Sequence, residues 1–183
     1  SIQRLNSLRE RNLANTTVSA ICISKRASLS HLETLNLAGT LVDGQALAQL
    51  KGLTALRDLD LSGSHVADRG LEDIALLTGL RTLRLRFLDI TDAGLGGIAK
   101  LGQLESLDLS STEISDAALK QIAALTNLRE LYLNYTAIGN AGLADLKPLQ
   151  QLQRLEVTHT RANNEGVASI SGAVYQDNNG NAV

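Results

Sequence analysis

Leu104-Glu-Ser-Leu107-Asp-Leu109-Ser-Ser-Thr112, followed by Ile114-Ser-Asp116-Ala-Ala118-Leu119, is one turn of a pattern that runs through most of the chain. Leu29, Leu53, Leu77, Leu101, Leu125 and Leu149 stand 24 residues apart. Leu32, Leu56, Leu80, Leu104, Leu128 and Leu152 make a second column, and Leu35, Leu59, Leu83, Leu107, Leu131 and Leu155 a third. A fourth runs Leu37, Leu61, Leu85, Leu109, Leu133 and Val157. Six units therefore follow one another without insertion over residues 29–172. A fixed period of this length is the signature of a stacked repeat architecture, in which each unit buries its apolar face against its neighbours.

The period changes within a unit. Leu35-x-Leu37 alternates every second residue, as a short strand requires. Leu95-x-x-Ile98-x-x-Leu101-x-x-Leu104 places apolar groups about one helical turn apart. Each unit reads as strand, turn, short helix and return, so successive strands run parallel. Six strands at ~4.8 Å give a sheet roughly 30 Å across.

Three further columns are polar or small. Asp68, Asp92, Asp116, Asn140 and Asn164 share one, with Asp43 one place early in the first unit. An Asp or Asn just before a helix accepts hydrogen bonds from its free N–H groups, so these are expected to be helix caps rather than acid or metal chemistry. Ala46, Gly70, Gly94, Ala118, Gly142 and Gly166 follow. Glycine early in a helix lowers helix propensity, so close approach to a neighbouring turn is expected there. After the strand come Thr40, Ser64, Leu88, Thr112, Thr136 and Thr160; the hydroxyls, which all but Leu88 carry, are expected to bond to backbone in the next turn.

These motifs resemble the leucine-rich-repeat superfamily. The Leu-x-x-Leu-x-Leu-x-x-Thr core at 104–112 carries the likeness, and Ile90-Thr-Asp-Ala-Gly-Leu95 is similar to the bacterial and cysteine-containing repeats with a short convex helix. The post-strand Thr departs from the usual Asn or Cys, and the extracellular Leu-Pro and Phe signature is not matched. The resemblance covers residues 29–172. It implies an α/β fold: a right-handed leucine-rich-repeat solenoid, or horseshoe, with a concave parallel β-sheet of about six strands and short helices on the convex side. It also implies a protein-interaction module, without naming a partner.

A solenoid must hide its open ends. Residues 1–28 are expected to form an N-terminal cap, a helix over 2–12 and an edge strand over 17–24. The competing reading is a degenerate repeat over 5–28, with Leu5, Leu8, Leu13, Thr16 and Val18 in phase and Arg11 against it at a core column. After Gly172 the phase fails, and 173–183 reads as a C-terminal cap or tail with a hairpin-type turn at Asn179-Gly180.

The 183 residues carry a formal net charge of −2, which gives no electrostatic reason to expect nucleic acid. No apolar run approaches the ~20 residues of a membrane span. No signal peptide is legible, and Ser1 rather than Met opens the chain, so a processed protein or a fragment is allowed for. The single cysteine, Cys22, reads as a small buried hydrophobe. The lack of disulfides leans towards a reducing compartment, with the cytoplasm favoured. A monomer is expected.

The residues between the core leucines face outward on the concave side. One column is Asn36, Asp60, Arg84, Asp108, Tyr132 and Glu156. The next is Ala38, Ser62, Arg86, Ser110, Asn134 and Thr158, and just past the strand come Gly39, Gly63, Phe87, Ser111, Tyr135 and His159. Three of the four aromatics lie in these columns, the fourth being Tyr175. Tyr and Arg are enriched at binding hot spots because they combine area with hydrogen bonding. The expected partner-binding patch is Arg84, Arg86, Phe87, Asp108, Tyr132, Asn134, Tyr135 and His159. Plainer roles are open to its members: Arg84 lies between Asp60 and Asp108 and can pair across strands.

No Gly-x-Ser-x-Gly elbow, zinc spacing or phosphate loop is present. His31, His65 and His159 read as surface residues. The expectation is a non-catalytic module that needs no cofactor and no metal, and that binds a protein on its concave face. The alternatives are a carbohydrate or small-ligand surface, disfavoured because an open sheet lacks an enclosed pocket, or the recognition domain of a larger effector, enzyme or receptor.

Overall fold

The computed structural model describes residues 8–18, 30–170 and 174–176. Among them runs one parallel sheet whose strands lie side by side in chain order. The strands are β1 (Glu10–Asn12), β2 (Thr34–Asn36), β3 (Asp58–Asp60), β4 (Thr82–Arg84), β5 (Ser106–Asp108), β6 (Glu130–Tyr132), β7 (Arg154–Glu156) and β8 (Val174–Gln176). Register is set by the leucines: Leu35 pairs Leu59, Leu59 pairs Leu83, and so on to Leu155. Short helices at Gly44–Leu50, Leu95–Ile98, Asp116–Ile122, Asn140–Ala144 and Asn164–Ala168, with 3₁₀ segments at Asp68–Leu76 and Asp92–Gly94, line the convex side. The parallel horseshoe solenoid is thus what the leucine columns specify. Glycines explain why the Leu95–Ile98 helix is short, since Gly94, Gly96 and Gly97 all lie in or beside it.

The four leucine columns fill the space between sheet and helices as one continuous core. Leu59, Leu83, Leu107 and Leu131 are fully enclosed, as are Leu61, Leu85, Leu109 and Leu133. Leu88, the exception in the post-strand hydroxyl column, is buried too. The hydroxyls turn back rather than forward. Thr40, Thr112 and Thr136 each donate at 2.6 Å to the carbonyl three residues earlier in their own unit, Leu37, Leu109 and Leu133. The end of its own strand thus supplies an acceptor for each of these buried hydroxyls, whereas the buried Ser64 hydroxyl of the same column has no hydrogen-bond partner among the described residues.

The acidic column does something other than cap its own helix. The helix caps are the residues one place earlier: the Thr91, Ser115 and Asn163 side chains accept from Ala93, Ala117 and Glu165 N–H. Asp43 alone, already one place early, caps as expected by accepting from Ala46 N–H. The column itself reaches to the next unit. Asp68 accepts from Thr91 N–H at 2.8 Å and from its hydroxyl at 2.6 Å. Asp92 takes Ser115 N–H at 2.7 Å, Asp116 takes Gly139 N–H at 2.6 Å, and Asn140 takes Asn163 N–H at 2.9 Å. Each carboxylate or amide thereby ties one convex turn to its successor.

Those ties explain the small column. A Cβ at Gly142 would lie 2.5 Å from the Asp116 carboxylate, and one at Gly94 2.5 Å from that of Asp68. A Cβ at Gly70 would meet the Gly44 backbone at 2.6 Å. The expected close approach of neighbouring turns is therefore present.

The ends differ from expectation. The N-terminal helix expected over 2–12 does not extend through its last three residues, because Glu10–Asn12 is strand β1, paired in parallel with β2. Arg11 stands opposite Leu35 in the core column, only half-buried. Thr16 donates to Leu13 O, and Leu13 and Val18 pack on the core, as the degenerate-repeat reading requires. Backbone pairing needs no particular side chain, so a poor core residue does not stop the strand. The edge strand expected over 17–24 falls almost wholly outside the described residues, as does Cys22. At the far end β8 adds to β7 with Tyr175 opposite Leu155, a spacing of 20 instead of 24, which is why the 24-residue phase missed it. Asn179-Gly180 lies outside the described residues.

The tightest packing is at Gly97, where a Cβ would collide with the Leu71 carbonyl oxygen, whereas one at Gly102 would meet nothing. Gly97→Ala should lower stability by about 1–3 kcal/mol through overpacking, and Gly102→Ala should cost nothing measurable. Urea unfolding of the two variants checks this; equal midpoints would show that the convex turns are not in rigid contact.

Candidate functional site

Strands β1 to β7 are each too short to turn the chain, and a residue just past each of them does so. Asn15, Gly39, Gly63, Phe87, Ser111, Tyr135 and His159 all have φ between 55° and 63°. In this left-handed conformation the N–H groups of all of them but His159 are seen to continue the ladder into the next unit. Gly39 donates to Ser62 O, Phe87 to Ser110 O, Ser111 to Asn134 O and Tyr135 to Thr158 O, over 2.8–3.2 Å. Glycine or asparagine suits such a position. A bulky side chain there costs about 1–2 kcal/mol. Yet Phe87, Tyr135 and His159 occupy it, and Phe87 is 62% and Tyr135 59% exposed.

These side chains are mutually arranged. The Tyr135 and His159 rings stack with centroids 4.3 Å apart and planes 9° from parallel. The Arg86 guanidinium sits 5.2 Å over the Phe87 ring. The result is a ridge across the strand exits: flat at Gly39 and Gly63, raised at Phe87, low at Ser111, and raised again at Tyr135 and His159.

The expected patch divides by what its members touch. Arg84, Arg86, Phe87, Tyr135 and His159 are exposed. Arg84 lies in register with Asp60 and Asp108, but among the described residues no ion pair takes it up. Asp108 pairs instead with Arg86 at 3.6 Å and accepts Ser110 N–H at 3.0 Å. That second bond is a structural habit of the column, since Asn12, Asn36 and Asp60 each hold the N–H two residues on in the same way. Asn134 is likewise engaged, donating to Glu156 at 2.9 Å and accepting from Thr158 N–H and hydroxyl at 2.8 Å. Tyr132 is half-buried and donates to Glu130 at 3.1 Å. Burial pushes its phenol above the ordinary 10.0, Glu130 adds to the rise and Arg154 opposes it. Asp108, Tyr132 and Asn134 therefore brace the sheet, while the other five present surface.

Sequence reasoning found the ridge residues but not their shared backbone state. Gly39 and Gly63 in the same column were the available signal. Among the described residues no group of three or more His, Cys, Asp or Glu could hold a metal ion, and no helix is long and apolar enough to cross a membrane. His31 and His65 are exposed and lie outside the expected patch.

A sequence profile described as Leucine Rich repeat matches residues 52–75, 104–123 and 124–147. Comparison with curated proteins finds no match. Among solved structures, the chain is similar to an internalin C2 from Listeria monocytogenes, with 21% identity, a TM-score of 0.67, and coverage of 96% of this chain and 83% of that one. It is also similar to a TDR receptor, with 20% identity and a TM-score of 0.65, over 92% of this chain. The match spans only 30% of that receptor's length. At such identities the likeness is one of fold.

If the ridge is held in place at a cost to the backbone, removing a side chain should relieve it. Phe87→Gly should leave stability unchanged or raise it by up to about 1 kcal/mol, the strain relief exceeding the extra unfolded-chain entropy of glycine. Thermal unfolding reads this out. A loss of more than about 1 kcal/mol would mean that Phe87 is a packing residue.

Proposed function

The chain belongs to the leucine-rich-repeat superfamily, and from that premise we propose that it is a non-catalytic module that recognises a protein partner through its concave face and strand-exit ridge. The observation that carries this reading is the placement of Phe87, Tyr135 and His159 in left-handed backbone, exposed, where glycine serves elsewhere in the same column. Backbone strain persists where surrounding structure over-determines it, and it clusters at functional sites. Arg84, with no ion pair among the described residues, and Arg86 stand beside the ridge, so area and hydrogen-bond donors converge there. Asp108, Tyr132 and Asn134 support the reading as braces that fix the strands beneath.

The surface is open, which suits a protein better than an engulfed small ligand. The 24-residue units supply rigid spacing, and the ridge supplies specificity. A photo-crosslinking residue at position 87 or 135 should attach partner protein, whereas one at Lys120, on the exposed side of a convex helix, should not. Combining Arg84→Ala, Phe87→Gly and Tyr135→Gly should weaken capture of that partner by about a hundredfold, as expected for several hot-spot residues removed together. Undiminished capture by the triple variant, with its fold intact by circular dichroism, would overturn the proposal.

A further inference from the structure

The segments that leave the strands and those that return to them carry opposite charge. On the strand-exit side, residues 40–43, 64–68, 88–92, 112–116, 136–140 and 160–164 run up to the start of the convex helices. They hold Asp43, Asp68, Asp89, Asp92, Glu113 and Asp116 against Arg161 and the neutral His65. On the strand-entry side, residues 51–57, 77–81, 99–105, 123–129 and 145–153 lead from the helices back to the sheet. They hold Lys51, Arg57, Arg81, Lys100, Arg129 and Lys147 against Glu105 and Asp145. Charge is sorted by side only there. The concave strands mix signs, with Asp58, Arg84, Glu130 and Arg154, and so do the convex segments, with Arg69, Glu72, Asp73 and Lys120.

Much of this charge is uncommitted. Asp89 and Glu113 on one side, and Lys51, Lys100 and Lys147 on the other, are exposed and take no ion pair among the described residues. Glu105 interrupts the basic series and is shared between Arg81 and Arg129. The two sides also match in apolar content. Of the exposed large hydrophobics among the described residues, Phe87 and Tyr135 belong to the ridge. The other two divide between the sides: Leu41 stands in an exit segment, and Leu76 ends the Asp68–Leu76 turn where the chain starts back to the sheet. Alone neither leucine marks a site. Together they give each charged side an apolar point for the other to cover.

We infer that the chain associates with copies of itself, the acidic strand-exit side of one copy lying on the basic strand-entry side of the next. Charge complementarity selects this occupant, and so does period. Asp68, Asp92 and Asp116 recur every 24 residues, as do Arg57 and Arg81. Both series ride on one coil, so a second copy presents the opposite sign at the same repeat, whatever that repeat measures. A net charge of only −2 adds little general repulsion. The two patches differ, so the contact is heterologous and builds an open assembly rather than a closed pair. This departs from the monomer expected from the sequence. It rests on the two sides of the coil and not on the ridge, so it stands or falls apart from the reading proposed above.

Sedimentation equilibrium tests this, with a reductant present so that Cys22 forms no crosslink. At about 0.01 M salt the mass should climb with concentration beyond two copies. At about 1 M salt, where the screening length falls from about 30 Å to about 3 Å, it should return to one. An exit variant, Asp89→Lys/Glu113→Lys, and an entry variant, Lys51→Glu/Lys100→Glu/Lys147→Glu, alter only exposed side chains, and circular dichroism checks their fold. Each alone should need at least about tenfold more protein to associate. An equal mixture of the two should recover association, because the reversed exit side of one meets the reversed entry side of the other. A chain that stays single up to about 1 mM at low salt would overturn the inference. So would a plateau at two copies, variants that associate like the parent chain, or a mixture that recovers nothing. A single chain that binds phosphatidylserine vesicles would also overturn it, and would give the basic side to an anionic surface instead.

Discussion

The left-handed residue after each of β1 to β7 is the hinge on which the structure turns. It bends the chain out of the sheet while its N–H still donates to the next unit, so the ladder outlasts the three-residue strand and the coil can close. Everything on the convex side must then fit within one strand spacing. That requirement presses the convex turns together until Gly44 and Gly70 meet backbone to backbone, and it leaves room for Asp68, Asp92, Asp116 and Asn140 to bridge to the following turn. The leucines fill what lies between. The stack is stabilised mainly by neighbour contacts, as expected of a one-dimensional array.

The same hinge makes a surface. A residue in left-handed backbone at the strand exit faces outward and is held by a hydrogen bond to its neighbour, so its side chain is displayed with little freedom. Where the residue is glycine the surface is bare, and where it is Phe87, Tyr135 or His159 a ridge forms. Display of rigid aromatics is an efficient way to bind, because little conformational entropy is lost on contact. In the proposed reading, the position that limits which residues fold comfortably also confers specificity, and its left-handed backbone sets Phe87 apart from exposed hydrophobes such as Leu41 or Leu76.

The leucine columns were legible because burial depends on side-chain type, and they fixed strand order, register and the core. Features that depend on a partner one unit away were not. Asp92 reads locally as a cap, yet its partner Ser115 lies 23 residues on, and only the stacked structure reveals that the true cap is Thr91. The terminal strands were obscured for opposite reasons: Arg11 spoils a core column that pairs regardless, and Tyr175 falls out of phase because the last unit is four residues shorter than the rest. At the candidate site, residue type pointed to Arg84, Phe87 and Tyr135. It could not separate them from Asp108 and Asn134, whose polar atoms are already engaged within the sheet.

The strand-exit ridge is the proposed recognition surface. Hydrogen exchange followed by mass spectrometry, on the chain alone and saturated with its partner, addresses it directly. Protection on binding should concentrate in the segments 84–88, 108–112, 132–136 and 156–160. Protection confined to the convex helices, with those four segments unchanged, would contradict it.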